Sequence, residues 1–276
     1  ISLHGGTPVF ADVDPVFYTL DPDSAERCIT SRTRAVVVVH LYGQAADMGR
    51  LKSLCDTNNL VLIEDCAQAH GTYWNDSHAG TIGTAGTFSF YPTKNLGAYG
   101  DAGCVITNDS QIAQEVRRFS NHGALYKDDH LFEGMNSRMD SLQAAVLVAK
   151  LPHLVGWNDR RRRNATVYNA ALKGIAEIIT PESRKDTTHS FHLYVIRARK
   201  RDELKKYLYE NGIQTLIHYP RALPFLPAYQ HMKLTSHASP VAAVLQDEVL
   251  SLPIYPELQT EEIHYICQKI KAFYQK

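Results

Sequence analysis

Residues 35–65 constrain the fold more than any other stretch. Ala35-Val36-Val37-Val38-Val39-His40 is a continuous β-branched run, the pattern of a parallel strand buried on both faces. Asp47 to Asn59 places Met48, Leu51, Leu54 and Cys55 on one helical face, and Leu60 to Asp65 is the next strand. Strand, helix and strand at this spacing make a right-handed βαβ unit. The chain is therefore expected to be α/β around a mostly parallel sheet. Thr87 to Tyr91 and Gly103 to Thr107 read as further strands, and Ser110 is expected to cap a helix running to about Asn121. Ser141 to Lys173 is mostly helix former, broken or kinked at Pro152.

The rest of the chain reads as a second, smaller α/β domain. Phe191 to Arg199 alternates into a strand, and Arg201 to Asn211 is a helix stopped by Gly212. Ile213 to Tyr219 is expected to be a strand, and Glu261 to Tyr274 a helix with Ile263, Ile266, Ile270 and Phe273 on one face. With 276 residues, at ~150 per domain, this predicts a large domain over 1–173 and a small one over 174–276.

Composition narrows the partners. Lys+Arg and Asp+Glu are both 29, so no overall field gathers polyanions and nucleic acid is not expected as a partner. The longest apolar runs, Ala35–Val39 and Ala144–Ala149, fall far short of the ~20 residues of a membrane-spanning helix. Five cysteines with no C-x-x-C spacing fit reduced thiols in the cytoplasm. The 13 histidines show no paired ligand spacing, so no metal is expected. The basic run Arg160 to Arg163 is expected to be a solvated helix face or a subunit contact rather than a phosphate site.

Three residues carry chemistry. Asp65 stands at the end of a buried strand, where open α/β sheets place ligand groups. Lys94 lies in a loop just after another strand, and Ser89, with the glycines near it, offers anion donors. A lysine and a carboxylate at neighbouring strand ends suit pyridoxal phosphate. Its aldehyde forms an imine with an amine, and its ring nitrogen stays protonated against a carboxylate. Spacing alone leaves the plainer roles open, a helix N-cap for Asp65 and a solvated chain for Lys94.

Longer motifs add a resemblance. Glu64-Asp65-Cys66-Ala67-Gln68-Ala69-His70-Gly71, Ser89-Phe90-Tyr91-Pro92-Thr93-Lys94-Asn95-Leu96-Gly97 and Gly134-Met135-Asn136-Ser137-Arg138-Met139-Asp140 resemble blocks of the DegT/DnrJ/EryC1/StrS sugar aminotransferases. His218-Tyr219-Pro220 and Leu250 to Pro256 resemble later blocks, in the same order. The resemblance implies a fold-type-I, pyridoxal-phosphate-dependent transferase. It would move an amino group, from an amino acid such as glutamate, onto a nucleotide-linked keto-sugar.

By the same resemblance Lys94 forms the imine and serves as general acid/base of the proton transfer. Asp65 pairs with the ring nitrogen, Gln68 contacts the ring hydroxyl, and Ser89 holds the phosphate. Asn136 reaches the cofactor phosphate of a neighbouring subunit, so a homodimer with shared sites is implied. The wording around Asp65 is similar to members that aminate C3 of a dTDP-linked 3-keto-6-deoxyhexose. A C4 aminotransferase and a non-catalytic or incomplete protein of this fold are the alternatives. Lys94 stands where the dehydratase branch has histidine. Two departures are visible. The Gly-Thr phosphate turn and ring-stacking residue of the family do not precede Ile1, so an N-terminally truncated chain is expected. After Pro220 the sequence runs Arg221-Ala222-Leu223-Pro224, without the family's Pro-x-His.

Overall fold

The β-branched run at 35–39 opens the strand series in the computed structural model, which describes residues 1–275. Among the described residues the strands are β1 (Ala35–Val39), β2 (Val61–Asp65), β3 (Tyr73–Trp74), β4 (Ser77–His78), β5 (Ala85–Ser89), β6 (Gly103–Ile106), β7 (Ile178–Ile179), β8 (Thr187–Thr188), β9 (Tyr194–Ala198) and β10 (Val249–Leu252). They belong to two compact units, one of residues 34–158 and 186–190, the other of 1–33, 159–185 and 191–276.

The first unit holds a sheet of order β1-β2-β5-β6, parallel across its first three strands and antiparallel at β6. The connection from β1 to β2 is the helix Met48–Thr57. Asp47 starts it by accepting the Arg50 N–H at 3.1 Å, and Met48, Leu51 and Cys55 are buried. The register Val39↔Asp65↔Thr87 puts Asp65, Thr87 and Ser89 on one face of the sheet, and Glu64, Gly86 and Phe88 on the other. Val38, Leu62 and Glu64 close the second face completely or nearly so. The first face is more open, with Val37, Val61 and Val105 exposed at 40%, 41% and 39%.

A buried carboxylate organises the closed face. Glu64 Oε2 accepts the Gly80 N–H at 2.8 Å and meets His40 Nε2 at 2.9 Å. Its Oε1 accepts the N–H groups of Ile82 and Gly83 at 2.8 and 2.6 Å. His40 Nδ1 in turn accepts the Ala46 N–H at 3.1 Å, so Nε2 carries the proton given to Glu64. Gly83 is required by packing, since a Cβ there would stand 2.5 Å from the Leu62 carbonyl oxygen. Burial alone would raise the Glu64 carboxyl. The His40 imidazole and the Gly83 and Gly80 amides outweigh it and hold the group below its ordinary value.

Two expectations shift in this unit, and the break expected at Pro152 is found. β5 begins at Ala85 and ends at Ser89, because Ala85 and Gly86 pair with Ile63 and Glu64. The helix Ser110–Phe119 is capped by Asp109, not Ser110. The Asp109 carboxylate accepts from Gln111 and Ile112, and its charge suits a helix N-terminus. Pro152 falls in the short turn Leu151–His153 between the helices Ser141–Lys150 and Leu154–Leu172, as its chemistry requires.

The second unit packs the antiparallel sheet β7-β9-β10 against helices Arg201–Glu210 and Thr260–Tyr274. Tyr168, Tyr194, Ile196, Leu204, Ile263 and Ile270 are buried in its core. Asp12 ties the first residues to this unit. Its carboxylate takes the Val241 and Ala242 N–H groups at 2.8 and 3.0 Å, at the start of the helix Pro240–Glu248. Ile213 to Tyr219 is not a strand. Only Leu216 bridges to Ser251, and the alternation reflects Ile213 and Ile217 packing on the core. Within the basic run Arg161 is buried and donates through Nη1 to the carbonyls of Phe191, His192 and Ile254. Arg160 and Arg163 are exposed, so the solvated-face reading holds for them and fails for Arg161. Among the described residues no helix is long and apolar enough to cross a membrane.

Glu64 gives the first testable consequence. Its folded-state pKa is depressed, so its contribution is present above the unfolded value of ~4.3 and is lost as pH falls through the folded one. Glu64→Gln is expected to destabilise the protein at neutral pH by about 2–4 kcal/mol and to flatten its acid-induced loss of stability. Urea unfolding between neutral and acid pH checks this. Equal stability of the two proteins at pH 7 would contradict it.

Candidate active site

Asp65 closes β2 and Ser89 closes β5, so both stand at the carboxyl edge of neighbouring parallel strands. Asp65 Oδ1 accepts the Ala67 N–H at 2.9 Å, which orients the carboxylate at the turn out of the strand. Ser89 Oγ accepts the Tyr91 N–H at 3.3 Å. Beyond it the chain folds into a tight loop, with Lys94 N donating to Tyr91 O and Ala98 N to Phe90 O, both at 2.8 Å. Gly97 permits this loop, since a Cβ there would lie 2.4 Å from the Pro92 oxygen. Lys150 Nζ closes it by donating to Gly97 O at 2.7 Å.

Lys94 is half-buried in that loop. Burial pushes its amine below the ordinary lysine value, and the negative charge of Asp65 pulls it part of the way back. The amine singled out from the sequence therefore senses the charge of the carboxylate singled out with it. Gln68 is buried, and its Oε1 accepts the Tyr42 N–H at 2.7 Å. Tyr42 reaches it from the turn after β1 with a left-handed backbone, φ 61°. Asn136 is exposed, on a segment whose backbone bridges to Asn121. Among the described residues no hydrogen bond joins Asn136 to Asp65, Ser89 or Lys94.

Three polar residues here were not singled out by sequence reasoning. His70 is 3% exposed and lies against the rings of Phe88 and Phe90, at 5.5 and 5.6 Å between centroids. Among the described residues neither of its ring nitrogens has a partner in hydrogen-bonding geometry. Burial, then the charge of Lys94 and the neighbouring His78, push it down to about 4, against a weaker pull from the Ser89 backbone. It is therefore neutral at pH 7. Asn95 and Asn158 are both buried and hydrogen-bonded to each other at 2.8 Å. Asn95 adjoins Lys94 and was within reach of a local argument. Asn158 lies 63 positions further on, and nothing in its own sequence surroundings marks it.

His40, Glu64 and Cys66 also cluster, with ligand-type atoms within 4.8 Å of one another. Each is already committed to the closed face of the sheet. The Glu64 carboxylate holds three amides and His40, and both His40 nitrogens are engaged. Burial raises the Cys66 thiol far above its ordinary value, which keeps it protonated. The cluster is a structural hub.

Comparison with known proteins gives a consistent picture. A protein of Geobacillus stearothermophilus named "Pleiotropic regulatory protein" is 44% identical over 276 residues, covering 99% of this chain and 74% of that protein. The dTDP-3-amino-3,4,6-trideoxy-alpha-D-glucose transaminase of Streptomyces venezuelae is 40% identical over 273 residues, covering 99% of this chain and 72% of that protein. Among solved structures, S. venezuelae DesV in complex with a ketimine intermediate superposes with a TM-score of 0.96 at 40% identity, over 100% of this chain and 74% of that one. The family profile itself matches residues 1–271. With that coverage and a fold, a lysine and a carboxylate arranged as described, the chain belongs to the DegT/DnrJ/EryC1/StrS aminotransferase family.

Proposed function

We propose that this aminotransferase uses pyridoxal phosphate to move an amino group from glutamate onto C3 of a dTDP-linked keto-6-deoxyhexose. The observation that carries the reading is the placing of Asp65 and Ser89 at the carboxyl ends of neighbouring parallel strands, with the half-buried Lys94 in the tight loop that follows Ser89. The donor set fits the cofactor. An amine suits its aldehyde, a carboxylate its ring nitrogen, the Gln68 amide its ring hydroxyl, and the Ser89 hydroxyl its phosphate. Bound pyridoxal phosphate supplies an electron sink for the carbanion formed when the amino-bearing carbon loses its proton. Asp65 keeps the ring nitrogen protonated, which that sink requires. Lys94, whose amine burial lowers below its ordinary value, would take the proton from the amino-bearing carbon and return it one position away. Tyr42 fixes the Gln68 amide that would meet the ring hydroxyl.

The C3 assignment is supported by the run Glu64-Asp65-Cys66-Ala67-Gln68-Ala69-His70-Gly71 and by the 3-amino sugar named for the Streptomyces venezuelae relative. A purely regulatory role, which the name of the Geobacillus relative raises, is disfavoured by the retention of Lys94, Asp65 and Gln68. The working assembly is a homodimer with shared sites. Its support is an apolar surface on consecutive helices, where Leu142, Val148 and Val155 are exposed at 70%, 72% and 71%. The five cysteines are unpaired, which supports a reducing, cytoplasmic setting.

Three outcomes test this reading. Incubation with glutamate and either a 3-keto or a 4-keto dTDP-sugar is expected to give a C3 amine, located by NMR. Amination at C4 alone would overturn the regiochemistry. Borohydride reduction of the holoenzyme is expected to leave a pyridoxyl group on Lys94 in peptide maps, and Lys94→Ala to abolish turnover; a label on another lysine would refute the role. Mixing inactive Lys94→Ala and Asn136→Ala chains is expected to restore activity. A dimer with one chain of each kind gathers both lesions in one site and leaves the other intact. No recovery after verified subunit exchange would count against a site shared through Asn136.

A further inference from the structure

We propose that Asn95 and Asn158 are positioning residues, a two-amide relay that fixes the Lys94 loop against the segment carrying Asp65 and Gln68. The proposal rests on Lys94 being the reactive amine.

Both carboxamides are almost fully removed from water, at 6% and 2% exposure. Asn95 Nδ2 donates to Asn158 Oδ1 at 2.8 Å and to the Ser190 carbonyl at 3.0 Å. Asn158 Nδ2 then donates to the His70 carbonyl at 2.7 Å. One end of the relay is thus the residue after Lys94. The other is a backbone oxygen two residues beyond Gln68 and five beyond Asp65. Ser190 is anchored in turn by its N–H to Gly43 O at 3.0 Å and by the Thr72 hydroxyl on its Oγ at 3.0 Å.

The backbone is shaped around the relay. Gly71 has a left-handed φ of +73°, and a Cβ there would come within 2.5 Å of Asn158 Nδ2. A planar amide donates and accepts in fixed directions, so two in series set a separation as well as a contact. That separation governs the chemistry, because an amine that must first bond to a ring and then move a proton beside it tolerates little displacement. Asp65, whose charge acts on the Lys94 amine, and His70, on which the Lys94 charge acts, both lie on the segment that the relay ties down.

The test uses the cofactor-free protein, so that it reads Lys94 itself. Formaldehyde with cyanoborohydride labels lysines across a pH series, and peptide mass spectrometry follows the Lys94 peptide. Asn158→Ala and Asn95→Ala are expected to move the Lys94 labelling midpoint upward, toward the ordinary lysine value, as water enters the loop. Because both act through one relay, the double variant is expected to move it no further than either single change. In the holoenzyme kcat is expected to fall about ten- to a hundredfold with the KM for the sugar little changed. If Asn158→Ala does not fold, Asn95→Ser leaves the bond to His70 in place and reads the same midpoint. A purely structural role would lower the melting temperature and leave that midpoint where it is. Folded variants with the wild-type Lys94 profile would overturn the proposal. Failure of the premise shows elsewhere, as a pyridoxyl group on a different lysine of the wild-type enzyme.

Discussion

The carboxylate of Glu64 is the constraint on which the first unit depends. An ionised group with no exposure to water is tolerable only when its lone pairs are filled, and here three backbone amides and one imidazole fill them. These partners come from different parts of the chain. His40 follows directly on β1, and Gly80, Ile82 and Gly83 form the approach to β5. One charge therefore sets the relative placement of three parallel strands. Because side chains alternate along a strand, burying Glu64 on one face turns Asp65 to the other. The structural carboxylate and the one proposed to meet the cofactor are neighbours in sequence for that reason.

How much of this was legible in the sequence depended on the range of the interaction involved. β1, β2 and the helix between them follow from β-branched runs and a single amphipathic face, and they lie within a residue or two of the expected positions. Pro152 marks a break that backbone chemistry imposes wherever the chain goes. Ile213 to Tyr219 misleads because alternation reports burial on one side, whether or not a ladder forms; Ile213 and Ile217 bury while only Leu216 pairs. Arg161 misleads for a similar reason. A basic run implies solvent until three carbonyls, two of them about 30 positions away and one 93, converge on one guanidinium.

The site divides along the same line. Asp65, Gln68, Ser89 and Lys94 lie in two short motifs, and strand ends bring those motifs together without help from the rest of the chain. What supports them is distributed. Gln68 depends on Tyr42, 26 positions earlier, and the Lys94 loop on Asn158, 63 positions from Asn95. Such partners carry no local pattern, because an asparagine in a helix looks the same whether it faces water or holds an active-site loop. His70 was visible as part of a motif. Its physical state, buried and neutral between two aromatic rings, became readable only with the fold.

That state follows from a competition between two bases in one pocket. Lys94 and His70 both lose hydration on folding, and two cations side by side in a poorly polarisable interior repel strongly. One of them must stay neutral. His70 has 3% exposure, no hydrogen-bond partner in good geometry and an ordinary pKa only slightly below neutral, so deprotonating it is easy. A fall to about 4 amounts to roughly 3 kcal/mol against the charged imidazole. Lys94 is only half-buried; burial lowers its amine and the Asp65 charge pulls it part of the way back. The proton transfer proposed for Lys94, a proton given up and recovered within one turnover, is served by that balance.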